Sequence, residues 1–140
     1  MKTFSTSCVI AASPGKVWTI LTDLAAWPGW NTTVSRVEGT VALGHKVTIH
    51  TTASPGRAFP VKVAALAPPH EMLWTGGMPL GLFTGRRTYT LVEHSPGKTT
   101  FSMKEEFSGL LAPLITRSIP DLQPLFDEFA ACLKRASESK

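Results

Sequence analysis

Residues 12–31 read ASPGKVWTILTDLAAWPGWN. The Gly15-Lys16 pair at the head of this stretch raises the question of a phosphate-binding loop. Such a loop needs a glycine five positions before Gly15, and Ser or Thr after the lysine, so that backbone N–H groups wrap the phosphates and a hydroxyl reaches magnesium. Ile10 and Val17 stand at those positions, so the wrap and the metal hydroxyl are both missing. The stretch reads instead as a helix over residues 13–24. Ser13 caps it, and Pro14 takes the first helical position, where its missing N–H costs nothing. Val17, Ile20, Leu21 and Leu24 then recur at spacings of three and four and form one apolar stripe. Trp18, Trp27 and Trp30 crowd around that stripe, and AAWPGWN reads as a turn or a second small helix.

Working outward, the chain has 140 residues, of which 43% are apolar and 17% charged, with a net charge of +4. That composition fits one folded domain, residues 1–140, able to bury a core without metal or disulfide staples. The Lys and Arg residues are scattered, in no run longer than two, which argues against a nucleic-acid partner. Two cysteines, Cys8 and Cys132, lie near opposite ends in apolar surroundings and read as buried free thiols rather than a disulfide framework. The polar TFSTS after Lys2 is no signal peptide, and no segment is long and apolar enough to span a membrane, so the expectation is a cytoplasmic protein.

Residues 2–11 alternate as a strand. After the helix, TVSRVEG, HKVTIHTT, AFPVKVAAL, EMLWTG, TGRRTYTLVE and KTTFSMKEEFSG follow, with turn residues about every ten positions, the rhythm of an antiparallel meander. GLLAPLITRS suggests a further helical turn, kinked at Pro120. Leu122, Leu125, Phe126, Phe129 and Leu133 then fall at helical spacing. Asp121 is preferred over Ser118 as the cap of this helix, because it keeps Pro124 in the first turn. The order is strand, helix pair, six strands, long helix: an α+β layer arrangement.

With ASPGKVWTILTDLAAWPGWN, LWTGG and EEFSGLL in that order, the chain resembles the SRPBCC superfamily of START-type lipid-transfer domains, plant pathogenesis-related allergens and polyketide cyclases or dehydratases. The likeness runs from about Thr3 to Arg135 and is greatest to short bacterial members. It implies a helix-grip fold: a curved seven-stranded sheet wrapped around the C-terminal helix, two short helices between strands 1 and 2, and a cavity between sheet and helix. The motif carries fold and no chemistry. The glycine-rich loop of the plant allergens is absent from EGTVALGHK, and no catalytic pattern of a cyclase is present.

Strand alternation assigns the cavity-facing residues. Phe101, Met103, Glu105 and Phe107 share one face, and Arg87, Tyr89 and Leu91 share another. A tight turn at Ser95-Pro96-Gly97, pairing His94 with Lys98, sets Leu91 opposite Phe101, Tyr89 opposite Met103 and Arg87 opposite Glu105. The two lone charges of the inner face are therefore predicted neighbours. They read plainly as an internal salt bridge, or functionally as a polar anchor for a ligand in an oily pocket. Met72 and Trp74 point inward, as do Val47, Ile49, Thr51, Phe59, Val61 and Val63. Trp30 is a candidate wall of the cavity, with core or surface packing as the alternative. Asn31 reads as a cap or turn residue. The apolar loop GGMPLGLFTG is either a cavity lip or a patch for self-association.

The expected ligand-binding set is thus Trp30, Trp74, Arg87, Tyr89, Phe101, Met103, Glu105 and Phe126. No catalytic residue is assigned. His45, His50, His70 and His94 have no metal-ligand spacing, so neither a metal nor a cofactor is expected. Taken with the resemblance, the expected function is binding of a small hydrophobic ligand (lipid, polyketide or aromatic) as carrier or sensor, in a monomer or weak homodimer. The alternatives are a cyclase or dehydratase, in which Arg87, Tyr89 and Glu105 polarise the substrate or shuttle protons, and a protein-interaction module.

Overall fold

The structure, a computed structural model, describes residues 2–52, 56, 58–78, 80–115, 117 and 121–139. The elements run β1 (Lys2–Ile10), α1 (Pro14–Thr22), one 3-10 turn (Leu24–Ala26), α2 (Trp27–Trp30), β2 (Val34–Glu38), β3 (Lys46–Thr51), β4 (Ala58–Ala67), β5 (Glu71–Met78), β6 (Phe83–Ser95), β7 (Lys98–Ser108), α3 (Ala112–Ile115) and α4 (Gln123–Glu138). All seven strands form one antiparallel sheet in the order β1-β7-β6-β5-β4-β3-β2. It curls around α4, as the expected helix-grip fold requires.

The helix at residues 13–24 forms as read but stops two residues early. Ser13 accepts a hydrogen bond from the Lys16 amide at 3.3 Å, and Pro14 opens the first turn. After Thr22 the chain tightens into the 3-10 turn and then α2, which ends where the Asn31 amide donates to the Trp27 carbonyl at 2.7 Å. Asn31 is a turn residue: its side-chain oxygen accepts from the Thr33 amide and hydroxyl. The segment carries the chain from edge strand β1 to edge strand β2; of its apolar stripe Val17, Leu21 and Leu24 are buried, together with Trp27, whereas Ile20 is half-buried.

Three ladders shift register, between Val34 and Arg36, between Val63 and Ala65, and between Glu93 and Ser95. Each such irregularity adds local twist, which a sheet must have to wrap a helix. The third corrects the expected hairpin end: Ser95, not His94, pairs with Lys98. The extra residue is absorbed at His94, so the pairs further in keep the expected register.

The free edge of β1 is covered by α4. Gln123 Nε2 donates to the Ser5 carbonyl at 2.7 Å and Lys134 Nζ to the Val9 carbonyl at 2.9 Å, while the Thr6 hydroxyl donates to Asp127. Backbone groups that would otherwise invite another strand are thereby occupied. The cap of α4 differs from expectation. Leu122 is the N-cap, and the Asp121 carboxylate accepts from the Gln123 amide at 3.0 Å from one residue further out. Pro124 still lies in the first turn, where no hydrogen bond is lost. The alternative cap Ser118 and the kink at Pro120 lie outside the described residues. Residues 112–115 form the expected extra helical turn.

Candidate functional site

The concave face changes character along α4. At one end Ile10, Val17, Leu21, Leu91 and Leu133 are all fully or almost fully buried, and the Thr99 hydroxyl ties β7 to the Ala12 carbonyl at 2.7 Å. In the middle sits a block of aromatic rings. Phe129 of α4 packs edge-on to Trp27 and Trp30, tilted on Tyr89 and stacked on Phe101, at centroid distances of 5.2 to 6.1 Å. Trp27 stacks on Trp74, and Trp74 meets Tyr89 edge-on at 5.0 Å. These rings fill space between helix and sheet where the cavity was expected.

Beyond the block the concave face turns polar. Arg87 is the cross-strand partner of Trp74 on one side and Glu105 on the other, and Leu91–Phe101 and Tyr89–Met103 also pair as expected. Arg87 Nε donates to Glu105 Oε1 at 3.1 Å and Nη2 to Oε2 at 3.4 Å, a forked contact suited to carboxylate. Arg87 Nη1 reaches the Tyr89 hydroxyl at 3.5 Å, and the guanidinium lies 5.1 Å over the Phe126 ring. Burial opposes the charge on Arg87, but the Glu105 carboxylate and the Tyr89 hydroxyl outweigh it and hold the guanidinium above its ordinary range. Burial likewise pushes the Tyr89 hydroxyl up, with the charge of Arg87 pulling the other way. Tyr89 is thus a neutral hydroxyl that accepts from Arg87, and Arg87 a fixed cation, at physiological pH.

The pair is not sealed. The side chains of Arg87 and Glu105 keep 21% and 15% of their exposure although both point to the concave side. Around them Phe4, Phe83, Phe107 and Phe126 form an aromatic rim, Phe83 stacking on Phe107 at 5.7 Å and Phe4 touching both Phe107 and Phe126. Of this rim, only Phe126 was among the expected site residues. Phe107 was already on the inner face by alternation, whereas Phe83 was hidden in the apolar loop. That loop is shorter than expected, because β5 runs on to Met78 and β6 starts at Phe83. Its tip is clamped to the β7–α3 turn by the Leu110 and Leu111 amides, which donate to the Gly81 and Leu82 carbonyls. Gly109 makes the approach possible: it adopts φ +112°, and a Cβ there would lie 2.8 Å from the Leu82 carbonyl oxygen. Leu80, Leu110 and Leu114 remain exposed around this clamp.

Six of the eight expected residues, Trp74, Arg87, Tyr89, Met103, Glu105 and Phe126, lie on the concave side at or next to the polar pair. Phe101 is deeper, stacked under Phe129. Trp30 lies elsewhere. It packs on Trp27 and Phe129 from outside the grip and lines an external cleft of about 230 Å³ with Ile20, Asp23 and Ala136. The inward residues of the outer strands separate as well: Val47, Ile49 and Val63 are buried, whereas Thr51, Phe59 and Val61 are half-buried. Among the described residues the indole N–H groups of Trp30 and Trp74 are buried and find no hydrogen-bond partner. Among the described residues no group of three or more His, Cys, Asp or Glu side chains gathers as a metal site, and no helix is long and apolar enough to cross a membrane.

Several solved structures share this architecture. A protein of Mesorhizobium loti superposes with a TM-score of 0.75 at 22% identity, over 96% of this chain and 95% of that one. The ZhuI aromatase/cyclase of a Streptomyces species gives 0.75 at 11% identity, over 98% and 93%. Norcoclaurine synthase of Thalictrum flavum gives 0.73 at 13% identity, over 99% and 87%. At these identities the likeness is one of fold. Among curated proteins nothing matches. Residues 1–138 match the family described as polyketide cyclase/dehydrase and lipid transport. With a curled seven-stranded sheet gripping α4 and a part-open polar pair inside it, the chain belongs to that family, within the SRPBCC superfamily.

Proposed function

We propose that this protein is a carrier or sensor for a small, mostly apolar molecule, held at the open end of the grip with one polar group against Arg87, Tyr89 and Glu105. The observation that carries this reading is the part-exposed Arg87–Glu105 pair inside an otherwise apolar concave face. Phe83, Phe107 and Phe126 supply the apolar walls that ligand pockets use, and the convergent polar groups supply orientation.

The electrostatics narrow the polar group. Arg87 and Glu105 together are neutral, and Glu105 already takes the two strongest donors of the guanidinium. A ligand carboxylate would have to displace Glu105 against its charge. A phenol or enol can accept from Arg87 or Tyr89 and donate to Glu105, and a ketone can accept from Arg87 or Tyr89, without leaving a charge unpaired. The buried Trp74 N–H, next along the sheet, is a further unused donor.

Native mass spectrometry of protein purified gently from its own host tests this. A stoichiometric neutral molecule that denaturation releases unchanged supports the carrier reading, and its loss in Arg87→Met places it at the pair. An empty protein that takes up no phenolic or polyketide-like probe overturns the reading. The family name and the convergence of a cation, a hydroxyl and a carboxylate favour one alternative, a cyclase or dehydratase. Arg87 and Tyr89 would then stabilise a developing enolate and Glu105 would move the proton. Conversion of the bound molecule, abolished in Glu105→Gln with binding kept, distinguishes that case.

A further inference from the structure

The opposite, convex face of the sheet carries a feature that the ligand-binding reading does not use. Lys46 of β3 is paired directly opposite Lys62 of β4. Lys62 faces Thr75 of β5, Thr75 faces Arg86 of β6, and Arg86 faces Glu106 of β7. Val47, Val63, Trp74, Arg87 and Glu105 are the inward neighbours of these residues, so the whole transverse row points outward. Three cations thus lie in one row across four strands. Glu106, the acid at its far end, is held by Lys104 at 3.8 Å. Among the described residues neither Lys46 nor Lys62 has a carboxylate within ion-pair distance, and like charges directly opposed across strands destabilise a sheet.

The two lysines also frame a depression. β4 and β5 pair only as far as Lys62 and Thr75. Beyond that point their ends, with Pro60 and Val61 on one side and Gly76 on the other, border a hollow of about 290 Å³ that Lys46, Lys62 and Thr75 line as well. Gly76 permits this approach, since a Cβ there would lie 2.9 Å from the Pro60 carbonyl oxygen.

We propose that the convex face binds the phosphate group of a small phosphomonoester, with the Lys46 and Lys62 ammonium groups straddling the dianion, the Thr75 hydroxyl donating to it, and its organic part against Pro60. Two ammonium groups a cross-strand spacing apart match two negative charges on one group better than the single charge of a carboxylate, and lysine serves phosphate as a point charge. Binding removes the repulsion that the free protein retains, so the ligand and the strain complement each other. Arg86, one strand beyond Thr75, adds attraction at longer range. The site rests on residues separate from those of the concave face, and neither proposal depends on the other.

An amide NMR titration at fixed ionic strength tests it, with inorganic phosphate and glycerol 3-phosphate as probes and sodium chloride as control. Saturable shifts at Lys46, Lys62, Thr75 and Gly76 with either phosphate, and none with chloride, are the expected result. A tighter fit for the ester assigns the apolar wall to the organic part, and an equal fit assigns recognition to the phosphate alone. Lys62→Glu replaces the repulsion by a cross-strand ion pair. It should keep the fold and weaken phosphate binding at least about tenfold. Lys62→Gln, which removes only the charge, should weaken it less. Shifts that follow ionic strength alone, shifts of equal size at Lys16, Lys98 and Lys134, or a saturable response that survives Lys62→Glu would overturn the proposal.

Discussion

The two halves of the concave face are built from the same strands and the same helix, yet they are opposite in character. Toward the C-terminal end of α4, the buried side chains are mostly apolar: Leu133 and Phe129 share one core with Leu21, Trp27, Leu91 and Phe101, and Thr99 and Ser137 are buried polar exceptions. Toward its N-terminal end, Phe126 faces a charge pair that solvent still reaches. One half is core and the other is the proposed site, and the boundary is the step from Trp74 to Arg87, which are direct neighbours across β5 and β6. A helix grip therefore need not be hollow throughout. Here the aromatic block fills the depth, and the part-exposed polar pair beyond it is the proposed vestibule.

The largest effect expected from breaking this contrast comes from the core side. Phe129→Ala removes the ring against which Trp27, Trp30, Tyr89 and Phe101 all pack. A truncation of this kind costs about 3–5 kcal/mol, as the lost burial and the cavity left behind add. Denaturant unfolding monitored by tryptophan fluorescence measures it. A loss below about 1 kcal/mol would mean that the block is not the core it is taken to be.

The polar side should respond differently. Glu105→Gln leaves Arg87 without its counter-charge in a part-buried place and should cost about 1–3 kcal/mol, less than a fully buried pair because water reaches both groups. Arg87→Met, which removes the opposite partner, should cost a similar amount. The double variant Arg87→Met with Glu105→Gln should recover much of that loss, since it leaves no orphaned charge. Urea midpoints of the four proteins close a double-mutant cycle. Additive losses would show that the pair is not coupled, and the vestibule would then lose its polar anchor.

Much of this division was legible in the sequence. The period-two alternation of residues 87–91 and 101–107, with a Pro-Gly turn between them, set the register that brings Arg87 to Glu105. That register survived a misplaced turn end, because the bulge at His94 absorbs its extra residue outside the paired core. Trp30 was not legible. Whether an indole enters the grip or packs on its outside depends on the angle at which a 3-10 turn meets a one-turn helix, and no periodicity encodes that angle. Phe83 was missed because Gly76, Gly77, Gly81 and Gly85 give the appearance of a long loop, whereas most of the segment continues the strands. The convex lysine row was hidden for a related reason. Its alignment runs through four strands and lies beside the shift between Val63 and Ala65, which changes which residues share a face beyond it.

A third test reads the boundary itself. Tyr89 is the single tyrosine of the chain, so tyrosinate absorbance reports it alone. Burial raises its ionisation above the ordinary value of 10.0. A group whose folded value is raised contributes stability that is complete below its unfolded value and lost as pH rises through the folded one. Tyrosinate should therefore appear only above pH 10, together with loss of the folded circular dichroism signal. Ionisation at the ordinary value with the fold intact would place Tyr89 in water and extend the vestibule into the aromatic block.

The smallest effect lies at the closed end, where α4 is stapled to β1. Glu138 accepts hydrogen bonds from Lys134 Nζ at 2.6 Å and from the Ala11 amide at 2.9 Å, and these hold its carboxyl below the ordinary value of 4.5. The sign is the reverse of that for Tyr89. Stability from this contact is complete above about pH 4.5 and lost as pH falls through the lower folded value. Glu138→Gln should therefore lower the melting temperature slightly at pH 7 and by less at pH 3. High salt should shrink the difference, because the carboxylate is exposed and screened. The same protocol applied to Glu105→Gln should show a larger and less salt-sensitive difference at neutral pH, since that carboxylate is shielded between β7, Arg87 and Phe126. If the two variants respond alike to salt, the vestibule is as wet as the surface. The apolar enclosure on which the ligand-binding reading rests would then be gone.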